Sequence, residues 1–134
     1  MMGEQILPQT HDRDTAPYFE AARQGKLVVK YCRDCGNGLH PPTPDCPFCG
    51  SSNTEWKEVS GRGTLYSWTT VTHSVHPSFP APYAIVVVEL DDIERVRLIG
   101  HLPGEHPELR DGMPMKVTFD KLDDDVVQPN WVPA

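Results

Sequence analysis

From residue 59 onward, apolar residues alternate with polar ones, or run together, in segments of strand length. Before it, a single stretch carries helical spacing. In "GRGTLYSWTTVTH" Leu65, Ser67 and Thr69 alternate against Tyr66, Trp68 and Thr70, the period of a strand. "PYAIVVVELDD" is nearly continuous in apolar residues and predicts a strand buried on both faces. "ERVRLIGHL" predicts a third strand, with "LDDIE" as the hairpin turn between them. "HPELRDGMPMKVTFDKL" holds a turn at Gly112 and then a fourth strand. "VVQPNWVP" predicts a fifth at a sheet edge, because proline cannot donate to a central ladder. Upstream, "KLVVKYC" and "SSNTEWKEV" read as strands entering and leaving a cysteine-rich segment. "DTAPYFEAARQGK" predicts a short helix, with Asp14 or Thr15 as cap, Pro17 in the first turn and Gly25 just past the end. Its apolar face would be Tyr18, Phe19 and Ala22. A helix this short persists only when docked, either on its own chain or on another subunit.

Five short strands, glycine-rich bends and one irregular connection predict a small closed barrel of the OB type. The glycines of "GRG" suit the bend of a first barrel strand. The chain therefore divides into an N-terminal tail and docking helix (1–25), a cysteine-bearing segment (26–58) and a five-stranded OB-fold barrel (59–134). Residues 1–11 are expected to be irregular, and the fold class is mainly β.

The 134 residues include four cysteines, all within "YCRDCGNGLHPPTPDCPFCG". Their pattern is C-x2-C-x10-C-x2-C: Cys32, Cys35, Cys46 and Cys49. Each C-x2-C turn aims two sulfurs at one ion, and the glycine after each pair, Gly36 and Gly50, suits positive φ. Two such knuckles build a tetrahedral thiolate site, for which zinc is the usual metal. Four sulfurs fill that sphere, so such a zinc is a structural staple for a segment too small to hold a core, and not a Lewis acid. An iron site for electron transfer is the rival, since "CPFCG" resembles a rubredoxin knuckle.

Charge and hydropathy narrow the rest. The formal charge is −7, which disfavours a nucleic-acid partner. No apolar run approaches the roughly 20 residues that span a bilayer, and the start lacks a signal-peptide pattern. A cytoplasmic location is expected, where paired cysteines bind metal rather than form disulfides. His73 and His76 have a metal-like spacing without a third ligand and read as loop residues; His40, His101 and His106 are isolated. Tyr66 and Trp68 could stack on bases, so a binder of single-stranded nucleic acid is the alternative reading. Arg62, Arg95 and Arg97 are the basic residues expected on barrel strands. No nucleophile motif or phosphate loop is present, which points to a subunit or adaptor.

"APYFEAARQGKL", "CRDCG…HPPTPDCPFCGS", "W-x-EVSGRGTLYS", "PYAIVVVELD" and "LRDGMPMKVTFD" together resemble the DUF35 family, OB-fold proteins with a rubredoxin-like zinc ribbon. The resemblance covers residues 15 to about 132. It implies structural zinc on Cys32, Cys35, Cys46 and Cys49. It also implies a thiolase-like catalytic subunit as partner in a hetero-oligomer, with acyl-CoA at or near the interface. Members of the family are small accessory partners of thiolases, acyltransferases, aldolases and hydratases. The partner carries the catalytic groups, and the DUF35 chain docks on it and helps line the acyl-CoA channel. Should this acidic chain touch CoA itself, Lys30, Arg33 and Arg62 are the candidate contacts.

Overall fold

The computed structural model describes residues 5–134; of the tail and helix segment expected at 1–25, residues 1–4 lie outside this range. Helix α1 spans Ala16–Arg23. Strands follow at β1 (Leu27–Cys32), β2 (Gly38–Leu39), β3 (Thr54–Val59), β4 (Arg62–Val71), β5 (Tyr83–Leu90), β6 (Arg97–Pro103), β7 (Pro114–Lys121) and β8 (Val127–Pro133). They form two antiparallel sheets, of order β2-β1-β3 and β6-β5-β4-β7-β8.

The helix starts and stops largely where the sequence places its signals. Pro17 sits in its first turn, and Thr15 is the cap residue although no side chain caps the helix. The chain enters instead through a turn in which Asp12 Oδ1 accepts the N–H of Asp14 at 2.8 Å. At the other end Gly25 has φ 74°. Its N–H reaches Ala22 O at 3.0 Å, and the N–H of Lys26 reaches Ala21 O at 3.0 Å. This is the paired closure that a left-handed residue permits. The helix packs on β1 and β8 of its own chain. Ala22 is buried, while Tyr18 and Phe19 are half-buried, Tyr18 against the main core.

That core is continuous across both sheets. Leu27, Val29 and Val59 of the first sheet pack with Leu65, Val86, Val88, Leu98, Met115 and Trp131 of the second. At the junction the Asp92 carboxylate accepts the N–H and the hydroxyl of Ser60, each at 2.7 Å. The β5–β6 hairpin is thereby tied to the end of the ribbon.

Several expectations need correction. Strand β4 is half-buried only as far as Leu65; a bulge falls between Leu65 and Ser67, and Tyr66 to Thr70 are all exposed. The reason is pairing: β7 covers β4 only at Arg62–Thr64. Strand β5 is not buried on both faces. Ala84, Val86, Val88 and Leu90 enter the core, while Ile85, Val87 and Glu89 stay half-buried. Arg95 lies in the hairpin turn with φ 64°, not on a strand.

The OB strand order is present, with β8 at the sheet edge, but the barrel is not closed by a ladder. Where β6 meets β8, the His101 backbone N–H donates to Asn130 Oδ1 at 2.9 Å. Pro129 and Pro133 remove two donors from β8, so a side chain bridges the seam. Gly100 permits the approach, since a Cβ there would lie 2.9 Å from Trp131 Cδ1 and 3.1 Å from Trp131 N.

Candidate metal centre

The two cysteine pairs fold as matching knuckles. In the first, the Gly36 N–H returns to Cys32 O at 2.8 Å; in the second, the Gly50 N–H returns to Cys46 O at 2.8 Å. Gly36 has φ 79° and Gly50 φ 78°, the left-handed backbone that their positions after each pair suggest. Strand β1 delivers Cys32, and a loop after β2 delivers Cys46 and Cys49. Cys32 and Cys46 are buried, Cys35 and Cys49 exposed.

The knuckles bring all four sulfurs within 4.8 Å of one another. Cys32 Sγ lies 3.6 Å from Cys49 Sγ, and Cys35 Sγ 3.6 Å from Cys46 Sγ. These separations are far longer than a disulfide bond of about 2.05 Å. They match the spacing of about 3.8 Å that a tetrahedral zinc with Zn–S bonds of about 2.3 Å imposes. The donor set also fits electrostatically. The backbone and side-chain N–H groups of Asn37 pull the Cys35 thiol down to about 6. Cys49 goes the other way, to about 12: the Ser51 N–H favours its thiolate, but the neighbouring thiols and desolvation outweigh it. Four thiolates cannot share this volume without a cation. The four cysteines are thus positioned to bind a metal.

Around the sulfurs runs a polar clasp that motif reading does not reveal. Asn37 Nδ2 donates to Cys35 Sγ at 3.3 Å, and the Phe48 N–H to Cys46 Sγ at 3.4 Å. Asp34 accepts from the Ser51 hydroxyl and from Asn53 Nδ2, which locks the first knuckle to the loop leaving the second. Those two bonds hold the Asp34 carboxyl below its usual range. The position of Asn37, one residue after the knuckle glycine, is the only sequence clue to this clasp.

The other predicted residues are scattered. Lys30 sits on β1 opposite Leu39 and Trp56. Arg33 lies in the first knuckle and pairs with Glu55 at 3.3 Å. Arg62 begins β4, opposite Lys116 of β7. No hydrogen bond or ion pair joins the three among the described residues. His76 Nδ1 accepts the Ser78 N–H at 3.0 Å within its loop. The Cys32, Cys35, Cys46 and Cys49 cluster is the only candidate metal group among the described residues. Tyr66 is exposed, but Arg97 stacks over its ring 3.9 Å from the centroid and pairs with Glu89 at 2.9 Å. No helix among the described residues is long and apolar enough to cross a membrane.

Fold and site together define a rubredoxin-like metal ribbon feeding an OB-fold. The description "ChsH2, rubredoxin-like zinc ribbon domain" matches residues 19–55, and "ChsH2, C-terminal OB-fold domain" matches residues 56–120. The chain belongs to the DUF35 family, in its ChsH2-like form. A chain of the solved Ltp2-ChsH2(DUF35) aldolase superposes with TM-score 0.83 at 36% identity, covering 94% of this chain and 98% of that one. The "probable enoyl-CoA hydratase alpha subunit" of Thermomonospora curvata is 39% identical over 124 residues, 92% of this chain and 38% of that protein. The "3-oxo-4,17-pregnadiene-20-carboxyl-CoA hydratase alpha subunit" of Mycobacterium tuberculosis is 30% identical, over 85% of this chain and 36% of that protein. The chain therefore spans little more than a third of either hydratase subunit. A "DUF35 domain-containing scaffold protein" of Pyrococcus furiosus is 34% identical over 66% of each chain.

Proposed function

We propose that this chain is an accessory, non-catalytic subunit of a thiolase-superfamily complex that processes acyl-CoA thioesters. It docks on the catalytic subunit and helps form the acyl-CoA channel. The observation that carries this reading is the end-to-end likeness to a chain of the Ltp2-ChsH2(DUF35) aldolase, at 36% identity with 98% of that chain covered. Two relatives named as alpha subunits of CoA-ester hydratases support a role as part of an assembly. The ion in the ribbon is zinc. With four protein sulfurs as ligands it keeps no open position for water or substrate, so its role is structural. Lys30, Arg33 and Arg62 are the proposed CoA contacts, and the catalytic subunit supplies most of the positive charge that CoA needs.

The test is to purify the tagged chain from its native host and identify what accompanies it at equal stoichiometry. A thiolase-like protein should co-purify, and its turnover of an acyl-CoA should fall when this chain is withheld. Charge reversal at Arg62 (Arg62→Glu) should raise KM for the acyl-CoA more than it lowers kcat. A chain that purifies alone, or a partner whose activity is indifferent to it, overturns the proposal.

A further inference from the structure

Asn37 is followed by Gly38, and no other asparagine of the chain precedes a glycine: Asn53 precedes Thr54, and Asn130 precedes Trp131. Asparagine is a chemically labile residue. It is most labile before glycine, where the next backbone nitrogen can reach the side-chain carbonyl carbon with no Cβ in the way. Packing imposes that glycine here. A Cβ on Gly38 would lie 2.2 Å from Val96 Cγ2 and 3.0 Å from Ile93 Cδ1. Strand β2 therefore fits against the β5–β6 turn only with glycine at this place, and the ribbon carries a labile dipeptide beside its sulfurs.

The folded ribbon ties down both halves of Asn37. Its backbone carbonyl accepts the Cys32 N–H at 3.0 Å, and its Nδ2 donates to Cys35 Sγ at 3.3 Å. Across β1, Gly38 pairs with Tyr31 and Leu39 with Lys30, which keeps this backbone extended. For the Gly38 nitrogen to reach Asn37 Cγ, the side chain must leave the sulfur and the strand must swing out of its ladder. These ties are only as strong as the knuckle. In the small core around the sulfurs, Leu39 is the one buried side chain that is not a cysteine, so the ribbon stays closed only while its four thiolates share a cation. Asn37 is half-buried, and opening the knuckle exposes it to water.

We propose that Asn37 and Gly38 form a self-modification site that permanently retires a ribbon which has lost its metal. In the opened segment the Gly38 nitrogen attacks Asn37 Cγ. The N–Cγ bond forms, the Cγ–Nδ2 bond breaks, and ammonia leaves with the Gly38 proton. Water then opens the cyclic imide at either carbonyl and leaves aspartate or isoaspartate at position 37. Both products damage the site. A carboxylate has no hydrogen to give the Cys35 sulfur. It also sets a negative charge beside four thiolates that one divalent cation only half neutralises. Isoaspartate in addition lengthens the backbone by one carbon, which moves Gly38 off Tyr31 and out of its slot against Val96. The inference rests on a cation in the four-sulfur cluster and not on the assembly proposed above.

The test compares the full-length, zinc-loaded chain at neutral pH with the same chain in excess EDTA. Peptide mass spectrometry follows residue 37 through the mass gain of exchanging NH2 for OH, and chromatography separates the aspartate and isoaspartate forms. Conversion at Asn37 should run at least about tenfold faster in the chelated chain, because it requires the ribbon to open. Asn53 and Asn130 serve as internal references and should stay intact over the same period. In the chelated chain, where the ribbon is open in any case, Gly38→Ala should slow conversion about tenfold. When zinc is restored, native mass spectrometry should find it only on chains that still carry Asn37. Asn37→Asp should bind zinc at least about tenfold more weakly than the native chain, as the loss of a hydrogen bond to a charged sulfur requires. Equal conversion with and without EDTA, or converted chains that take up zinc as well as fresh ones, overturns the proposal. A chain that takes up no zinc at the outset overturns the zinc reading and this one together, whereas a zinc-loaded chain without protection overturns this one alone.

Discussion

Replacing Cys46 by serine tests whether the metal alone holds the ribbon. Cys46 is 2% exposed, and its sulfur lies 3.6 Å from that of Cys35. The small core of the ribbon consists of Cys32, Leu39 and Cys46, so Leu39 is its one buried side chain that is not a ligand. Burying one leucine is worth about 1.5–3 kcal/mol, whereas a structural zinc site contributes about 10–16 kcal/mol. The metal therefore outweighs the ribbon's own apolar contact several-fold, and Cys46→Ser should release it and unravel the segment 32–53. The damage should stop there. Leu27, Val29 and Val59 belong to the main core with Val86, Leu98 and Trp131, so β1 and β3 keep their anchor on the second sheet. The assay is metal content by native mass spectrometry, combined with hydrogen exchange by peptide. Residues 32–53 should exchange at loop rates while residues 83–102 remain protected. Stoichiometric metal in the variant, or protected Gly36 and Gly50 amides without metal, would refute the reasoning.

Gly63→Ala would set a Cβ 2.5 Å from Glu89 O and 2.5 Å from Val88 Cγ1; about 3 kcal/mol of destabilisation is expected, read as a lower denaturant midpoint at constant slope. Trp131 is fully buried, and its Nε1 has no hydrogen-bond partner among the described residues, so Trp131→Ala should cost about 3–5 kcal/mol. Trp131→Phe should cost clearly less, because it refills part of the volume and removes the orphaned N–H; equal losses in chemical denaturation would argue against that account. His106 is raised above its ordinary pKa by its hydrogen bonds to the Glu108 carboxylate and to Pro103 O. A raised histidine stabilises the fold below its ordinary pKa and loses that contribution as pH climbs through the raised value. NMR titration should find His106 above the ordinary histidine value, and Glu108→Gln should bring it down.

Part of this protein could be read without coordinates, because the relevant interactions are local. Gly25 closes a helix within a few residues of chain, and Gly36 and Gly50 close knuckles whose hydrogen bonds span four residues. The cysteine spacing set the cluster of four sulfurs for the same reason, and period-two patterning placed most of the strands. Local pattern failed where a neighbour in space decides the outcome. The alternation of β4 continues past Leu65, but exposure there follows from β7 ending its pairing at Thr64. Tyr66 and Trp68 have the spacing of a stacking platform, yet Arg97 from β6 covers the Tyr66 ring.

The sequence by itself determined most of the strands, the knuckles and the grouping of the four cysteines, and it pointed to an OB-type sheet. Each of these follows from dihedral preferences and from spacings of a few residues. Only the tertiary structure decided that ribbon and OB sheet share one core and that prolines in β8 leave the seam to Asn130. His101 and Asn130 are 29 positions apart, and nothing in the residues around either one announces the other. Their meeting is set by the twist and register of two strands that touch without pairing.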